Sequence, residues 1–144
     1  MIKIDFYKVE KVKNESLKFA IIAAEYKEKW ILVRHKERDT WEIPGGHREK
    51  NEDINETAKR ELFEETGAKE FTIKPVCNYS VTADNVTNYG RLFYAKVNRL
   101  GKLPELEIEE IKLFDALPDN LTYFNIQPKL FRRILEWKKE RIEK

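Results

Sequence analysis

Residues 45–68 read GGHREKNEDINETAKRELFEETGA. Glycines and charged residues stand at fixed spacings within this stretch: Gly46, Glu52, Arg60, Glu61, Glu64, Glu65 and Gly67. At roughly 7% usage per residue type, the full set would occur by chance in on the order of one window in 10^8. The combination, and not any single glutamate, therefore indicates a particular fold and function.

The middle of this stretch is predicted to be a helix from about Asp53 to Thr66. Asp53 with Glu56 three residues later is a capping pair, and Asn51 is a second candidate cap. Gly67 stands where a helix would end.

This helix has an acidic face. Glu61, Glu64 and Glu65 stand at i, i+3 and i+4, so their side chains share one side of the helix. A solvated acidic face is one interpretation of three such glutamates. A hard divalent cation is the other, since Mg²⁺ binds carboxylates, waters and substrate phosphates. The neighbouring face is apolar and would seat the helix on a sheet: Ile54, Ala58 and Leu62.

A glycine turn precedes the helix. Pro44, Gly45 and Gly46 follow the apolar residues 41–43, which indicates a short strand running into a turn. Glycine lets the backbone approach a ligand closely. A carbonyl of Gly45 or Gly46 is therefore a candidate metal ligand beside the glutamates.

The spacing G-x5-E-x7-R-E-U-x-E-E-x-G-U, where U is aliphatic, resembles the Nudix box, the signature of hydrolases of nucleoside diphosphates linked to another group. The resemblance implies an α/β/α sandwich with a mixed sheet, a box helix and a C-terminal helix. It also implies Mg²⁺ as the cofactor, with Mn²⁺ as an alternative. Two positions depart from the pattern: Asn51 stands where glycine is usual, and Ala68 is small for an aliphatic position.

In such an enzyme, Glu61, Glu64 and Glu65 would hold metal. Either Glu61 or Glu64 would be the general base that takes a proton from water. Arg60 would act as an orienting group that pairs with neighbouring glutamates or reaches back to Glu52. A plain surface salt bridge is the alternative for Arg60.

Four residues outside the helix are further candidates. Glu110, just before the apolar run 111–114, matches a family position for another metal ligand, or is a solvated glutamate of an acidic loop. Arg34 and His47 would contact substrate phosphates, or face solvent. Asn125, just before the last helix, matches a residue that reads the base edge in the branch acting on oxidised purine nucleotides. Its alternative role is a helix cap.

The whole chain fits one α/β domain over residues 1–144. Apolar runs 17–26 and 30–34 predict a hairpin, and runs 70–81 and 89–97 predict two strands joined by the loop 82–87. Pro128 is predicted to open a final helix. Its apolar residues have helical spacing: Leu130, Phe131, Ile134, Trp137 and Ile142.

The composition and net charge of the chain limit the kinds of binding partner that are expected. The chain has 144 residues, 41% hydrophobic, with 28 Lys and Arg against 26 Asp and Glu. The net charge of +2 does not suggest bulk nucleic-acid binding, so a small nucleotide substrate is expected. Cys77 is alone and is expected to be a reduced core thiol. With no apolar run typical of a signal peptide or membrane span, we expect a cytoplasmic protein. A homodimer is compatible with the resemblance.

The predicted activity is hydrolysis of a nucleoside triphosphate, with 8-oxo-dGTP as a candidate, to the monophosphate and pyrophosphate. The alternatives are hydrolysis of a nucleotide sugar, a dinucleotide or an RNA 5′-triphosphate end. A non-catalytic nucleotide sensor is disfavoured because the box carboxylates are all present. An isomerase of the same fold would need a catalytic cysteine and additional glutamate and histidine ligands. It is disfavoured because the chain has one cysteine, Cys77, and only two histidines.

Overall fold

The computed structural model describes residues 1–142. In chain order it contains β1 (Ile2–Tyr7), β2 (Leu17–Tyr26), β3 (Lys29–His35), β4 (Gly45–His47), α1 (Ile54–Thr66), β5 (Ala68–Ala83), β6 (Val86–Leu100), β7 (Ile108–Phe114) and α2 (Gln127–Ile142). None of the helices in this part of the chain is long and apolar enough to cross a membrane.

The strands form one mixed sheet of seven strands in the order β1-β5-β6-β2-β3-β7, with β4 paired to β2. β2 and β6 run parallel, and the other pairs are antiparallel. β3 leaves β2 after its first residues, and β4 takes its place beside β2 at Phe19–Ile21. This exchange brings the glycine turn to the centre of the sheet.

Alternation along β2 explains why helices cover both faces. Ala20, Ile22 and Ala24 belong to the core cluster that holds the buried face of α1. Ala23 belongs to the opposite cluster, which holds the buried residues of α2: Leu130, Phe131 and Ile134. Successive strand side chains point to opposite faces, so one apolar strand serves two layers. The predicted α/β fold with a mixed sheet and two flanking helices is confirmed.

The helix α1 begins and ends where the sequence predicts. Asp53 is the N-cap, and its carboxylate accepts a hydrogen bond from the backbone N–H of Asn55 rather than of Glu56. Asn14, from the loop before β2, accepts from the Ile54 N–H at 2.7 Å. Gly67 has a φ of 78° and ends the helix in the left-handed conformation that glycine allows. These contacts fix the direction in which the acidic face points.

Some boundaries differ from the prediction. β5 and β6 extend into the predicted loop and leave a turn at Asp84 and Asn85, both with positive φ. α2 begins at Gln127, one residue before Pro128. β1 and β4 lie outside the predicted strands, and the side chain of Ile142 lies outside the described residues. Cys77 is a buried free thiol, as expected.

Candidate active site

A cavity of about 750 Å³ opens between the glycine turn, the acidic face of α1 and the start of α2. Its volume is within the range of small-molecule sites, about 300–1,000 Å³. One end is acidic and includes Glu61, Glu64, Glu65 and Glu107. The other end is mainly apolar and is formed by residues of β2, β5 and α2: Phe19, Ile21, Tyr79, Val81 and Leu130. A ligand with a charged part and a flat apolar part would match both ends.

The glycine turn and the glutamates fit directly against one another. The Gly45 N–H donates to Oε1 of Glu65 at 2.9 Å. A side chain at Gly46 would overlap the Glu61 carboxylate, so glycine is required there for Glu61 to occupy its position. β4 pairs with β2 through Phe19 and Ala20, which fixes the turn against the sheet. The backbone therefore meets two carboxylates at the acidic end of the cavity.

Two carboxylates at this end, those of Glu61 and Glu65, resist ionisation. Burial, with the charges of Glu64 and Glu107 adding to it, raises the pKa of Glu61 to about 7, against a lowering effect of Arg60. Burial raises the pKa of Glu65 to about 8, and the nearby Glu61 acts in the same direction. The Gly45 N–H partly opposes this increase. Such perturbed groups in a cleft are typical of functional sites.

Arg60 ties the box helix to the preceding loop. Its Nε and Nη2 donate to the two oxygens of Glu52 at 2.8 and 2.9 Å. Nη2 also donates to the His47 carbonyl at 3.0 Å, and Nη1 donates to Glu64 at 3.3 Å. The Arg60 guanidinium holds the pKa of Glu52 at about 2, well below that of an ordinary carboxyl. Arg60 thus contacts the turn, the loop and the acidic face together.

The donor set suits a divalent cation. Among residues 1–142, no three side chains of His, Cys, Asp or Glu converge into a ready-made metal site. The carboxylates of Glu61, Glu64 and Glu65 nevertheless line one end of the cavity beside the backbone of Gly45 and Gly46. Mg²⁺ needs few protein ligands because waters and substrate phosphates complete its coordination. The hard oxygen donors present at this end therefore fit that ion.

A charged cluster that also lines the cavity has no counterpart in the predicted site: His35, Arg38 and Glu42. Glu42 is 6% exposed and accepts from Arg38 Nη1 at 2.6 Å. His35 Nε2 lies 3.3 Å from Glu42 and 3.9 Å from Glu65. The hydrogen bond that Arg38 donates to Glu42 raises the pKa of the Arg38 guanidinium above its ordinary value. The signal in the sequence is a glutamate within the apolar run 41–43, where a buried charge needs a partner.

The structure gathers most, but not all, of the predicted site residues. His47 lines the cavity, and its ring packs edge-on to Phe19 with a centroid distance of 4.5 Å. Arg34 and Glu110 are paired with each other at 3.0 Å, opposite one another on β3 and β7, and neither lines the cavity. Glu107, three residues earlier, does line it.

The residue predicted to contact the base does not line the cavity, whereas other side chains near it do. Asn125 is exposed in the turn before α2 and does not line the cavity. Gln127 lines it, with Oε1 accepting from the Ile43 N–H at 2.8 Å. Of the aromatic residues that could stack on a base, Phe19 and Tyr79 line the cavity, whereas Phe93 is buried in the core under α1.

The chain is similar to known proteins in sequence and in fold. A model of the NUDIX domain matches residues 17–130. A protein of Bacillus subtilis (strain 168) named "Putative 8-oxo-dGTP diphosphatase YtkD" is 32% identical over 110 residues, which cover 76% of this chain and 69% of that protein. The crystal structure of a mutant of the Bacillus subtilis pyrophosphohydrolase BsRppH superposes with a TM-score of 0.77 at 24% identity, covering 92% of this chain and 90% of that one. A UDP-X diphosphatase gives a TM-score of 0.73 at 22% identity, covering 92% and 67%.

Proposed function

This chain belongs to the NUDIX domain family, and we propose that it is a Mg²⁺-dependent hydrolase that converts a nucleoside triphosphate to the monophosphate and pyrophosphate. The observation that supports this most strongly is the cavity itself. Its acidic end combines a glycine turn with the glutamates of α1, and its other end offers apolar and aromatic surface. A nucleotide has the same division between a phosphate chain and a base.

The acidic end would hold the cation through Glu61, Glu64, Glu65 and a backbone carbonyl of Gly45 or Gly46. When bound, a divalent cation neutralises phosphate charge and lowers the pKa of a coordinated water. We assign the additional carboxylate to Glu107 in place of Glu110. Glu107 lines the cavity and raises the pKa of both Glu61 and Glu65, whereas Glu110 is paired with Arg34.

Glu61 or Glu64 would take a proton from the attacking water. Glu61 lies against the backbone of Gly46 at the acidic end. Glu64 is held by Arg60 at 3.3 Å. The contact with Arg60 favours Glu64 as a ligand kept in place, which leaves Glu61 as the base.

The protein's other groups would position the substrate. His47 lies on β4 next to Gly46, where its exposed ring can reach a phosphate. Arg60 keeps the His47 carbonyl and the loop in place without itself entering the reaction. At the far end, Phe19 and Tyr79 offer surfaces on which a base can pack.

The substrate proposed in particular is 8-oxo-dGTP. Support comes from the name of the Bacillus subtilis relative, with which this chain shares 32% identity over 110 residues. The decisive experiment is a panel of triphosphates, nucleotide sugars, dinucleotides and 5′-triphosphate RNA, assayed with Mg²⁺ and with Mn²⁺. Release of pyrophosphate and a monophosphate from a triphosphate, with ¹⁸O from labelled water in one product, is expected. Activity restricted to phosphomonoesters would refute the proposal.

A further inference from the structure

We propose that Asn88 and the hydroxyl of Tyr79 read the edge of the substrate base, and so select a purine that presents a hydrogen-bond donor beside an acceptor. The inference rests on the proposed function and names the residues that would decide which triphosphate is used. Both residues line the end of the cavity remote from the glutamates.

The strand register shows how far this end is from the acidic end. Tyr79 on β5 pairs with Gly90 on β6, Gly90 pairs with Phe19 on β2, and Phe19 pairs with His47 on β4. Since neighbouring strands lie about 4.8 Å apart, this row across four strands spans about 14 Å. His47 follows Gly46, whose backbone touches Glu61. The row therefore leads from the carboxylates to Tyr79 across a distance that suits a nucleotide.

Glycine at position 90 makes room for the tip of the Tyr79 ring. A Cβ atom placed on Gly90 would come within 2.5 Å of both Cζ and the hydroxyl of Tyr79. The ring thus lies over Gly90, on the cavity face of the sheet. Asn88 stands two residues before Gly90, opposite Val81, so its side chain points to the same face. The amide and the hydroxyl are consequently neighbours on the floor of the cavity.

Within residues 1–142, neither the Asn88 amide nor the Tyr79 hydroxyl makes a side-chain hydrogen bond. No buried polar side-chain atom of these residues lacks a partner, so the two groups are not sealed off from the cavity that their residues line. Tyr79 is 4% exposed, and burial raises the pKa of its hydroxyl, which stays neutral and can donate as well as accept.

Other amides that face the interior are already engaged. Asn78 accepts from Arg91 at 2.7 Å and donates to the Val9 carbonyl at 2.8 Å. Gln127 accepts from the Ile43 N–H at 2.8 Å. These side chains hold the fold together. Asn88 is different because its amide faces an otherwise apolar end of the cavity and remains available to a ligand.

The chemistry of an amide defines the edge that it can read. Its N–H₂ and C=O together pair with an adjacent acceptor and donor, as in the pairing of Asn with N7 and N6 of adenine. The N7 and O6 atoms of guanine are both acceptors, so one of the two amide groups would be unpaired. Oxidation at C8 places a hydrogen on N7 between two carbonyl oxygens, and the edge then matches the amide. The Tyr79 hydroxyl can satisfy a remaining donor or acceptor.

The experiment compares kcat/KM for 8-oxo-dGTP and dGTP in the wild type and in variants. The wild type should favour 8-oxo-dGTP by about 5- to 150-fold, the range expected for one bidentate pair. Asn88→Ala should bring the ratio close to 1 by raising KM for 8-oxo-dGTP more than KM for dGTP. Tyr79→Phe, which removes only the hydroxyl, should reduce the ratio in part. Asn98→Ala, at an exposed position near the other end of the same strand, is the matched control and should leave the ratio unchanged.

Two outcomes would overturn the inference. One is an active wild type with no preference between the two triphosphates. The other is a preference that survives Asn88→Ala in a variant of normal thermal stability, above all if Asn125→Ala abolishes it. If the wild type hydrolyses no nucleotide, the proposed function fails. The affinities of the wild type for 8-oxo-dGMP and for dGMP, measured by calorimetry in EDTA, then still test whether the base is recognised. Equal affinities of the wild type for the two monophosphates would refute the inference.

Discussion

Arg60 and Glu52 are joined by two nearly parallel hydrogen bonds, of 2.8 and 2.9 Å, across the loop that leads into the box helix. The geometry is the bidentate pairing that a planar guanidinium allows and an ammonium does not. Glu52 also accepts from the Glu49 N–H and from the Thr57 hydroxyl. One carboxylate thus connects the loop to the first turn of the helix, and Arg60 connects both to the glycine turn.

Arg60→Lys is therefore expected to damage both stability and activity. The variant keeps the charge but loses the paired geometry and the bond to the His47 carbonyl. A loss of about 1.5–3 kcal/mol is expected for hydrogen bonds to charged groups, which at about 2–4 °C per kcal/mol corresponds to a fall in Tm of roughly 3–12 °C. A fall in kcat should accompany it, measured by steady-state kinetics. Lys59→Gln is the control, since Lys59 makes only an exposed pair with Glu56. Equal behaviour of the two variants would contradict the role given to Arg60.

The stability of the metal-free protein should fall as the pH rises from about 5 to 8.5. The pKa values of Glu61 and Glu65, about 7 and about 8 in the folded chain, lie above that of an ordinary carboxyl. The folded state therefore holds these protons more tightly than the unfolded state does. The resulting stability is complete below the unfolded pKa and is lost as the pH rises through the folded pKa. Glu52 has a lowered pKa of about 2, so its protonation affects the free energy of unfolding only at a lower pH than this range.

Thermal melts in EDTA between pH 5 and 8.5 measure this effect. Glu65→Gln should flatten the profile, whereas Glu70→Gln, an exposed residue paired with Arg99, should not. Mg²⁺ should raise Tm more at pH 8.5 than at pH 5, because it binds the deprotonated carboxylates. A Tm that increases with pH over this range would show that the carboxylates are not destabilised by burial.

Glu107 and Glu110 should differ in their contributions. Glu107→Gln removes a charge that lines the cavity, and we expect kcat to fall by about 10- to 10^3-fold, or about 1.4–4 kcal/mol in the barrier. Glu110→Gln breaks an exposed pair with Arg34, worth about 0–1 kcal/mol to stability, and should leave kcat within a few-fold of the wild type. Steady-state kinetics of the two single variants decide the matter. A larger loss in Glu110→Gln would restore the assignment made from the sequence.

Much of the fold follows from local sequence signals. The caps at Asp53 and Gly67 predict α1, and runs of apolar residues predict β2, β3, β5 and β6. β4 has no such signal, because Gly45–His47 resembles a turn and becomes a strand only through its pairing with β2. β1 does carry a strand signal that the prediction left out, because apolar and polar residues alternate over residues 2–6 of this half-buried edge strand.

The site is harder to predict from the sequence than the fold, because its residues come from several different strands and loops. The position of Glu110 beside a strand suggests a ligand, but the register of β3 against β7 sets it opposite Arg34. Similarly, Asn125 lies in a promising turn, yet the amide on the cavity floor is that of Asn88, placed there by the pairing of β5 and β6. Such positions depend on strand register, and the sequence pattern of one strand alone does not fix its register against a neighbour.

The central claim is that the acidic face of α1 catalyses cleavage of a phosphoanhydride. Its most direct test is the rate of pyrophosphate release from a triphosphate substrate in Mg²⁺ for the wild type, Glu64→Gln and Glu56→Gln. Glu64→Gln should lower kcat by about 10^3-fold or more, or roughly 4 kcal/mol in the barrier. It should change Tm little, since the loss of the pair with Arg60 and the relief of repulsion between neighbouring glutamates oppose each other. Glu56 is an exposed glutamate of the same helix, so Glu56→Gln should retain full activity. Excess EDTA should abolish the activity of the wild type. Unchanged turnover in Glu64→Gln, or full activity in excess EDTA, would contradict the account.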